Sequence, residues 1–317
     1  MSRTPPALVP RLPTPLQPVA DPRFSALGVR LLLKRDDLIH PALPGNKYRK
    51  LVLNLERARA AGHDTLLTFG GAYSNHLRAT AAAGRLLGFA TVGVVRGDEL
   101  AGQPLNPSLA RCEADGMRLH FVDRSTYRRK HDPAVLAALQ RDTATQEAYV
   151  IPEGGSNALA VQGCAALGEE LRGRTDVAAV ACGTGGTLAG LAAGLAPGQR
   201  ALGIPVLKGG FLGEEIRRLQ DTALGSPTAN WSLDERFHCG GYARTTDALT
   251  AFADDFEDRH GVPVERIYVA KLLHALTALS EEGAFAPGTT VTAVVTGMPP
   301  APGPAHPSHS SHSSTSR

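Results

Sequence analysis

The chain has 317 residues, 43% of them hydrophobic and 20% charged, with a formal charge of +3. That size and balance suit a soluble globular protein long enough for two packed domains. No cluster of Lys and Arg is interleaved with aromatics, so a nucleic-acid partner is not expected. The longest apolar runs, Val177–Cys182 and Ala189–Leu195, are too short to cross a bilayer, and no membrane partner is expected.

In chain order, residues 1–24 carry Pro5, Pro6, Pro10, Pro13, Pro15 and Pro18 and read as an extended arm without the apolar run of a signal peptide. A helical pattern over Lys47–Ala61 then leads into a strand at Thr65–Phe69 and a helix at Asn75–Gly88, with Gly88 as its C-cap. Strands follow at Thr91–Val95, Arg118–Val122, Tyr149–Ile151, Val177–Ala181, Leu202–Leu207 and Thr290–Val295. Amphipathic helices are predicted at Pro133–Leu139, Val161–Arg172, Gly185–Leu195, Gly213–Leu219, Thr246–His260 and Val269–Glu282. Strands alternating with helices predict an α/β protein built on parallel twisted sheets with helical crossovers on both faces. From about Pro299 the chain is Pro, His and Ser and is expected to be disordered. His306, His309 and His312 in that tail could hold a metal, but a solvated tail is the preferred reading and no metal site is expected. Cys112, Cys164, Cys182 and Cys239 form no CxxC pair, which predicts free thiols in a reducing cytosol and a cytoplasmic location.

Three segments carry chemistry. The strand ending at Cys182 runs through Gly183, Thr184, Gly185, Gly186 and Thr187 into a helix, where free N–H groups and the helix dipole favour a phosphate. A dinucleotide fingerprint would need glycine where Leu188 stands, and a Walker loop would need a Lys followed by Ser or Thr, which is absent. A small phosphate cup or a plain tight turn remains. Lys47 is one of six lysines and opens a helix beside Arg49 and Lys50, a setting that lowers a lysine pKa and makes the amine nucleophilic. A surface lysine at a helix start is the alternative. The third segment, Gly70 to His76, presents Ser74, Asn75 and His76 at a strand–helix junction, where Ser74 serves equally as an N-cap.

Taken in order, LLLKRDDL, GNKYRKL, GGAYSNH, IPEGGSNALA, GTGGT, GGYAR and IYVAK span about Leu31 to Gly297. This ordered set resembles the family of 1-aminocyclopropane-1-carboxylate (ACC) deaminases and D-cysteine desulfhydrases, pyridoxal-phosphate (PLP) enzymes of the tryptophan-synthase-β fold, fold type II. The resemblance implies that Lys47 bonds the cofactor aldehyde and that Asn75 meets its ring hydroxyl. It gives Gly183, Thr184, Gly185, Gly186 and Thr187 the phosphate and places Thr296 by the pyridine nitrogen. Ser74 sits over the substrate, and Tyr242 and Tyr268 match two active-site tyrosines. A homodimer is also implied. The large domain is expected from residues 1–49 and 154–298, the small domain from 50–153, and the site between them.

The chain departs from the family pattern where ACC deaminases carry a glutamate after the tyrosine matched by Tyr268. Val269 stands there, where desulfhydrases have threonine, and the usual His-Thr-Gly-Gly ending is Val295-Thr296-Gly297-Met298. The expected activity is D-cysteine desulfhydrase-like β-elimination from a small amino acid, with ACC deamination as the nearest rival. A PLP-binding protein of weak catalysis and a dinucleotide-binding dehydrogenase are the other classes, the last disfavoured by Leu188.

Overall fold

The computed structural model describes residues 8–297. Met298, the tail from Pro299, and its three histidines lie outside the described residues. Strands β1 (Leu16–Val19) and β2 (Arg30–Lys34) flank a short helix α1 (Pro22–Ser25). Helix α2 (Asn46–Ala60) leads into β3 (Thr65–Gly70), α3 (Asn75–Leu87), β4 (Ala90–Arg96), α4 (Pro107–Ala114), β5 (Met117–Val122), α5 (Arg124–Arg128), α6 (Pro133–Asp142) and β6 (Tyr149–Ile151). Then come α7 (Ala158–Glu170), β7 (Val177–Cys182), α8 (Gly186–Gly194), β8 (Arg200–Pro205), α9 (Leu212–Leu224), β9 (Trp231–Leu233), α10 (Asp247–His260), α11 (Val269–Glu281) and β10 (Thr290–Val294).

The strands form two sheets. A four-stranded sheet of order β5-β4-β3-β6 is parallel throughout, and a six-stranded sheet has the order β1-β2-β10-β7-β8-β9. Every residue of β7 is buried, which its run of small apolar residues allows and a parallel strand covered on both faces requires. Strand β1 is the exception to parallel pairing: Leu16 lies opposite Lys34 and Val19 opposite Leu31, antiparallel. The arm thus contains a strand that its prolines hid. Its link to β2 is only a short helical turn, too brief for a parallel crossover. Pro18 is tolerated because β1 lies at the sheet edge. Strand β8 is shifted two residues toward the N-terminus of its predicted range, and β2, β9, α1, α4 and α5 were not predicted.

Two cores result. Leu31, Leu33, Val177, Val269, Val291 and Val295 belong to the large-sheet core. Leu8, Ile39, Leu43 and Tyr48 pack instead with Leu66 and Ile151 against the small sheet. Between the cores, the carboxyl ends of the parallel strands β3 and β7 deliver the two glycine turns to one cleft, the usual place for ligands in open α/β sheets.

Candidate active site

Lys47 and Lys50 occupy the first turn of α2, and the helix starts where it does because of Gly45. A Cβ on Gly45 would lie 1.7 Å from the carbonyl oxygen of Thr296, and its φ is +77°, so only glycine lets this turn pass the end of β10. The turn turns Lys47 and Lys50 toward the Glu153–Ser156 segment. Both ammonium groups reach one carbonyl, that of Gly154, at 3.3 Å from Lys47 Nζ and 2.9 Å from Lys50 Nζ. Lys50 also donates to Ser156 Oγ at 2.8 Å and Thr184 Oγ1 at 3.3 Å. All its partners are neutral oxygens. Burial pushes its pKa down from 10.5 to about 8. Burial, and then the charge of Lys50, hold Lys47 well below the ordinary lysine value. Lys47 keeps part of its side chain open to the cavity.

Ser74 is the N-cap of α3 and accepts from the Leu77 amide at 3.3 Å, so the capping reading holds. It also lines the cavity. Asn75 engages Arg78 through its side-chain oxygen, which leaves its NH2 as the end available to a ligand. His76 is buried at 2% exposure, and its Nε2 lies 2.7 Å from Thr68 Oγ1. Thr68 donates its own proton to the carbonyl of Ile151 at 2.8 Å, so it accepts from His76 and the imidazole carries its hydrogen on Nε2. Nδ1 is therefore a bare acceptor, buried and without a partner, on a ring that lines the cavity. Burial, then the charges of Lys47 and Lys50, hold this histidine well below its ordinary pKa, in the neutral form.

On the opposite wall, the turn after β7 carries Gly183 to Thr187. Gly185 has φ +78° and opens α8; a Cβ there would come 2.7 Å from Ile216 Cγ1. Glycine is thus required for packing as well as for an exposed backbone, so a bulky substitution would strain the fold and the cup together. Thr187 Oγ1 accepts from the side chain of Asn46 at 2.8 Å, which ties the cup to the turn that bears Lys47. Tyr242 and Tyr268 meet edge to face with centroids 6.1 Å apart, and Tyr242 donates to the carbonyl of Tyr73 at 3.4 Å. Burial raises both phenols above their ordinary pKa, so both stay protonated.

A single cavity of about 1130 Å³ is lined by Lys47, Ser74, Asn75, Tyr242 and Tyr268 and by Gly183, Thr184, Gly185 and Thr187. Two predicted residues do not line it. Gly186 sits against Ser156 and Lys50, where a Cβ would be 2.7 Å from Ser156 Oγ and 3.2 Å from Lys50 Nζ. Thr296 is 9% exposed beside Gly45 and Asn46, its carbonyl accepting from the Asn46 amide at 3.3 Å. Sequence reasoning missed Lys50, Asn46 and Ser156 as cavity residues. The signal for Lys50 was its place three residues after Lys47, on the same face of a helix.

These residues suit a ligand that brings a phosphate and an aldehyde. A glycine turn at a helix N-terminus faces a lysine with no carboxylate partner, and a second lysine of depressed pKa stands beside it. A side chain at Gly183 would intrude to 3.3 Å from the Tyr268 hydroxyl, so the missing Cβ keeps the cavity wall open. The fold and site together define an α/β enzyme that handles a phosphorylated aldehyde. The sequence model of the pyridoxal-phosphate dependent enzymes matches residues 9–297, and the chain belongs to that family. It is similar to a D-cysteine desulfhydrase of Salmonella newport, 31% identical over 313 residues that cover 91% of this chain and 92% of that one. It is also similar to a putative ACC deaminase of Pyrococcus furiosus, 30% identical over 287 residues and 85% of each chain. The crystal structure of an ACC deaminase homologue superimposes with a TM-score of 0.80 at 27% identity, covering 92% of this chain and 90% of that one. The fold is therefore that of the fold-type-II PLP enzymes, and PLP is the cofactor.

Proposed function

We propose that the chain catalyses β-elimination from a small amino acid with a leaving group on Cβ, D-cysteine being the model substrate. Water is consumed, and pyruvate, sulfide and ammonia are released. When bound, PLP supplies the electron sink for a carbanion at the substrate α-carbon. Lys47 would anchor it, Asn75 would donate to its ring hydroxyl, and Gly183 to Thr187 with Lys50 would hold its phosphate. Thr296 would stand on the pyridine-nitrogen side. Lys47 is the residue to take the proton from Cα, because burial and then the charge of Lys50 favour its neutral amine. Ser74, at the start of α3, orients the substrate above the lysine. Tyr242 and Tyr268, kept protonated, can donate to the substrate or its leaving group.

The observation that carries the choice of reaction is Val269, an apolar residue at the position where, among the described residues, a strong sink would need a carboxylate. Val269 is 1% exposed within the apolar core. Glu265, four residues before it, has its carboxylate taken up by the amides of Ile267 and Tyr268 at 2.9 and 2.7 Å. A neutral surrounding gives a milder sink, sufficient for a substrate with an acidic Cα–H and a good leaving group. ACC has no hydrogen on Cα, so its ring opening needs another way into the sink. The deaminase reading, which the Pyrococcus relative's name supports, is the alternative. We assign the described part of 1–49 and 154–298 to a large domain and 50–153 to a small one, Leu8, Ile39, Leu43 and Tyr48 of the first segment packing against the small sheet, with the site in the cleft between them. A cytoplasmic location, supported by the free thiols of Cys112, Cys164 and Cys182 in the interior, and the homodimer that the family resemblance implies complete the reading.

The test is kcat/KM for D-cysteine and for ACC on one preparation of holoenzyme, since the ratio reports differential transition-state stabilisation. Pyruvate and sulfide from D-cysteine, with little or no 2-oxobutyrate from ACC, is expected. Turnover of ACC equal to or faster than that of D-cysteine would replace this reading by the deaminase one.

A further inference from the structure

Tyr242 is carried into the cavity by a strained turn whose own bonds are few: the Gly241 amide donates to the carbonyl of His238 at 3.0 Å and the Arg244 amide to that of Gly241 at 3.3 Å. Residues 239 to 243 run with φ values of +50°, +86° and +120° at Cys239, Gly240 and Gly241, and +55° at Ala243. Two of those four are not glycine, so the turn is strained at Cys239 and Ala243. A strained turn persists only where its surroundings fix it. The fixing group is Lys271, on α11 one turn after Tyr268. Its side chain is fully buried, and its ammonium donates to the carbonyl of His238 at 2.9 Å and to that of Gly241 at 2.8 Å. The two bonds bracket Cys239 and Gly240, and the second falls on the residue before Tyr242. Among the described residues no carboxylate forms an ion pair with this ammonium; its bonds go to the turn itself.

We propose that Lys271 is a positioning residue for Tyr242: through the ammonium clamp on His238 and Gly241 it holds the tyrosine in the cavity against Tyr268. The same helix therefore sets both tyrosines. Tyr268 is fixed at its start, where Glu265 accepts from the Tyr268 amide at 2.7 Å, and Tyr242 is fixed by Lys271 one turn further on. A substrate group contacting the pair would meet a preorganised surface rather than a loose loop. The catalytic part of this statement rests on the reading that Tyr242 serves the reaction proposed above. The clamp itself does not.

Cys239 lies inside the clamped turn and is the partly exposed cysteine, whereas Cys112, Cys164 and Cys182 are buried. Its alkylation rate in the native protein thus reports opening of the turn without reference to activity. In Lys271→Met holoenzyme we expect Cys239 labelling by iodoacetamide to accelerate by about tenfold or more, the scale of one lost hydrogen bond to a charged group. Turnover should fall in Lys271→Met, but the same substitution should cost nothing further in a Tyr242→Phe background, because there the tyrosine hydroxyl is already gone. If Lys271→Met does not fold, Lys271→Gln, which keeps an amide donor, takes its place and should give a smaller acceleration in the same direction. An unchanged Cys239 rate in a folded variant overturns the clamp. Losses from Lys271→Met and Tyr242→Phe that multiply in the double variant overturn the positioning of Tyr242. If no amino acid is turned over at all, the proposed reaction fails while the labelling result still decides the clamp.

Discussion

Within one turn of α2 two faces treat positive charge in opposite ways. On the face away from the cavity, Arg49 donates to both oxygens of Asp36 at 2.8 and 2.9 Å and to Glu170 at 2.9 Å. Lys34 joins the same knot through Glu170 at 2.5 Å and the carbonyl of Thr14 at 2.6 Å. Against the pull of burial, Asp36 and then Glu170 hold Arg49 above its ordinary pKa. On the cavity face, Lys47 and Lys50 meet only carbonyl and hydroxyl oxygens, and both are depressed. The difference lies in how many carboxylates each cation meets: Asp36 and Glu170 both face Arg49, whereas Lys34, with Glu170 as its ion-pair partner, is still lowered by burial. Paired charge locks α2 to β2 and α7, whereas unpaired charge leaves one amine free to react and another free to meet an anion.

The comparison breaks most visibly if the paired face is not structural. Arg49→Met leaves the fully buried Asp36 without its main partner, and breaking such a pair costs about 3–5 kcal/mol. Urea denaturation at fixed PLP should show that loss, with the same slope. A loss under about 1 kcal/mol would mean that the knot is as dispensable as a surface pair.

The unpaired face is sharpened by Lys50→Met. The folded-state pKa of Lys50, about 8, lies below its ordinary 10.5. Between those values the unfolded chain holds a proton that the folded chain has released, so stability of the wild-type apoprotein rises with pH across that window. The methionine variant should lose the share of this rise that Lys50 supplies and keep that of Lys47. It should also bind PLP about tenfold to a hundredfold more weakly, the scale of a charged hydrogen bond. A pH rise as steep as that of the wild type, or unchanged PLP affinity, would show that Lys50 is not the cation facing the cup.

Strands β3, β4, β6, β7 and β10 were legible because their apolar, β-branched runs are bounded by turn residues. Gly88 and Ser74 mark the ends of α3 by local chemistry, with Gly88 in the left-handed region at φ +75°. Strands β1 and β9 were not legible, since each is short and is made a strand by its neighbour. In the site, the glycine turns and Lys47 could be read locally. The knot could not: Asp36 and Glu170 lie 13 and 121 residues from Arg49. Nor could the bare acceptor of His76, which depends on the proton of Thr68 going to Ile151, or the clamp of Lys271, whose partners lie 30 and 33 residues away. Pattern finds residues that act through their own turn; it does not find those that act through distant partners.

The most direct measurement is to reduce the holoenzyme with borohydride and map the modified lysine. Lys47 and Lys50 share a carbonyl, so the assay separates two amines that geometry brings together. The pyridoxyl group is expected on Lys47 alone, and Lys47→Arg should take up none. Label on Lys50, or on Lys34 or Lys271, would contradict the division of α2 into a reactive amine, an anion-facing amine and a structural cation.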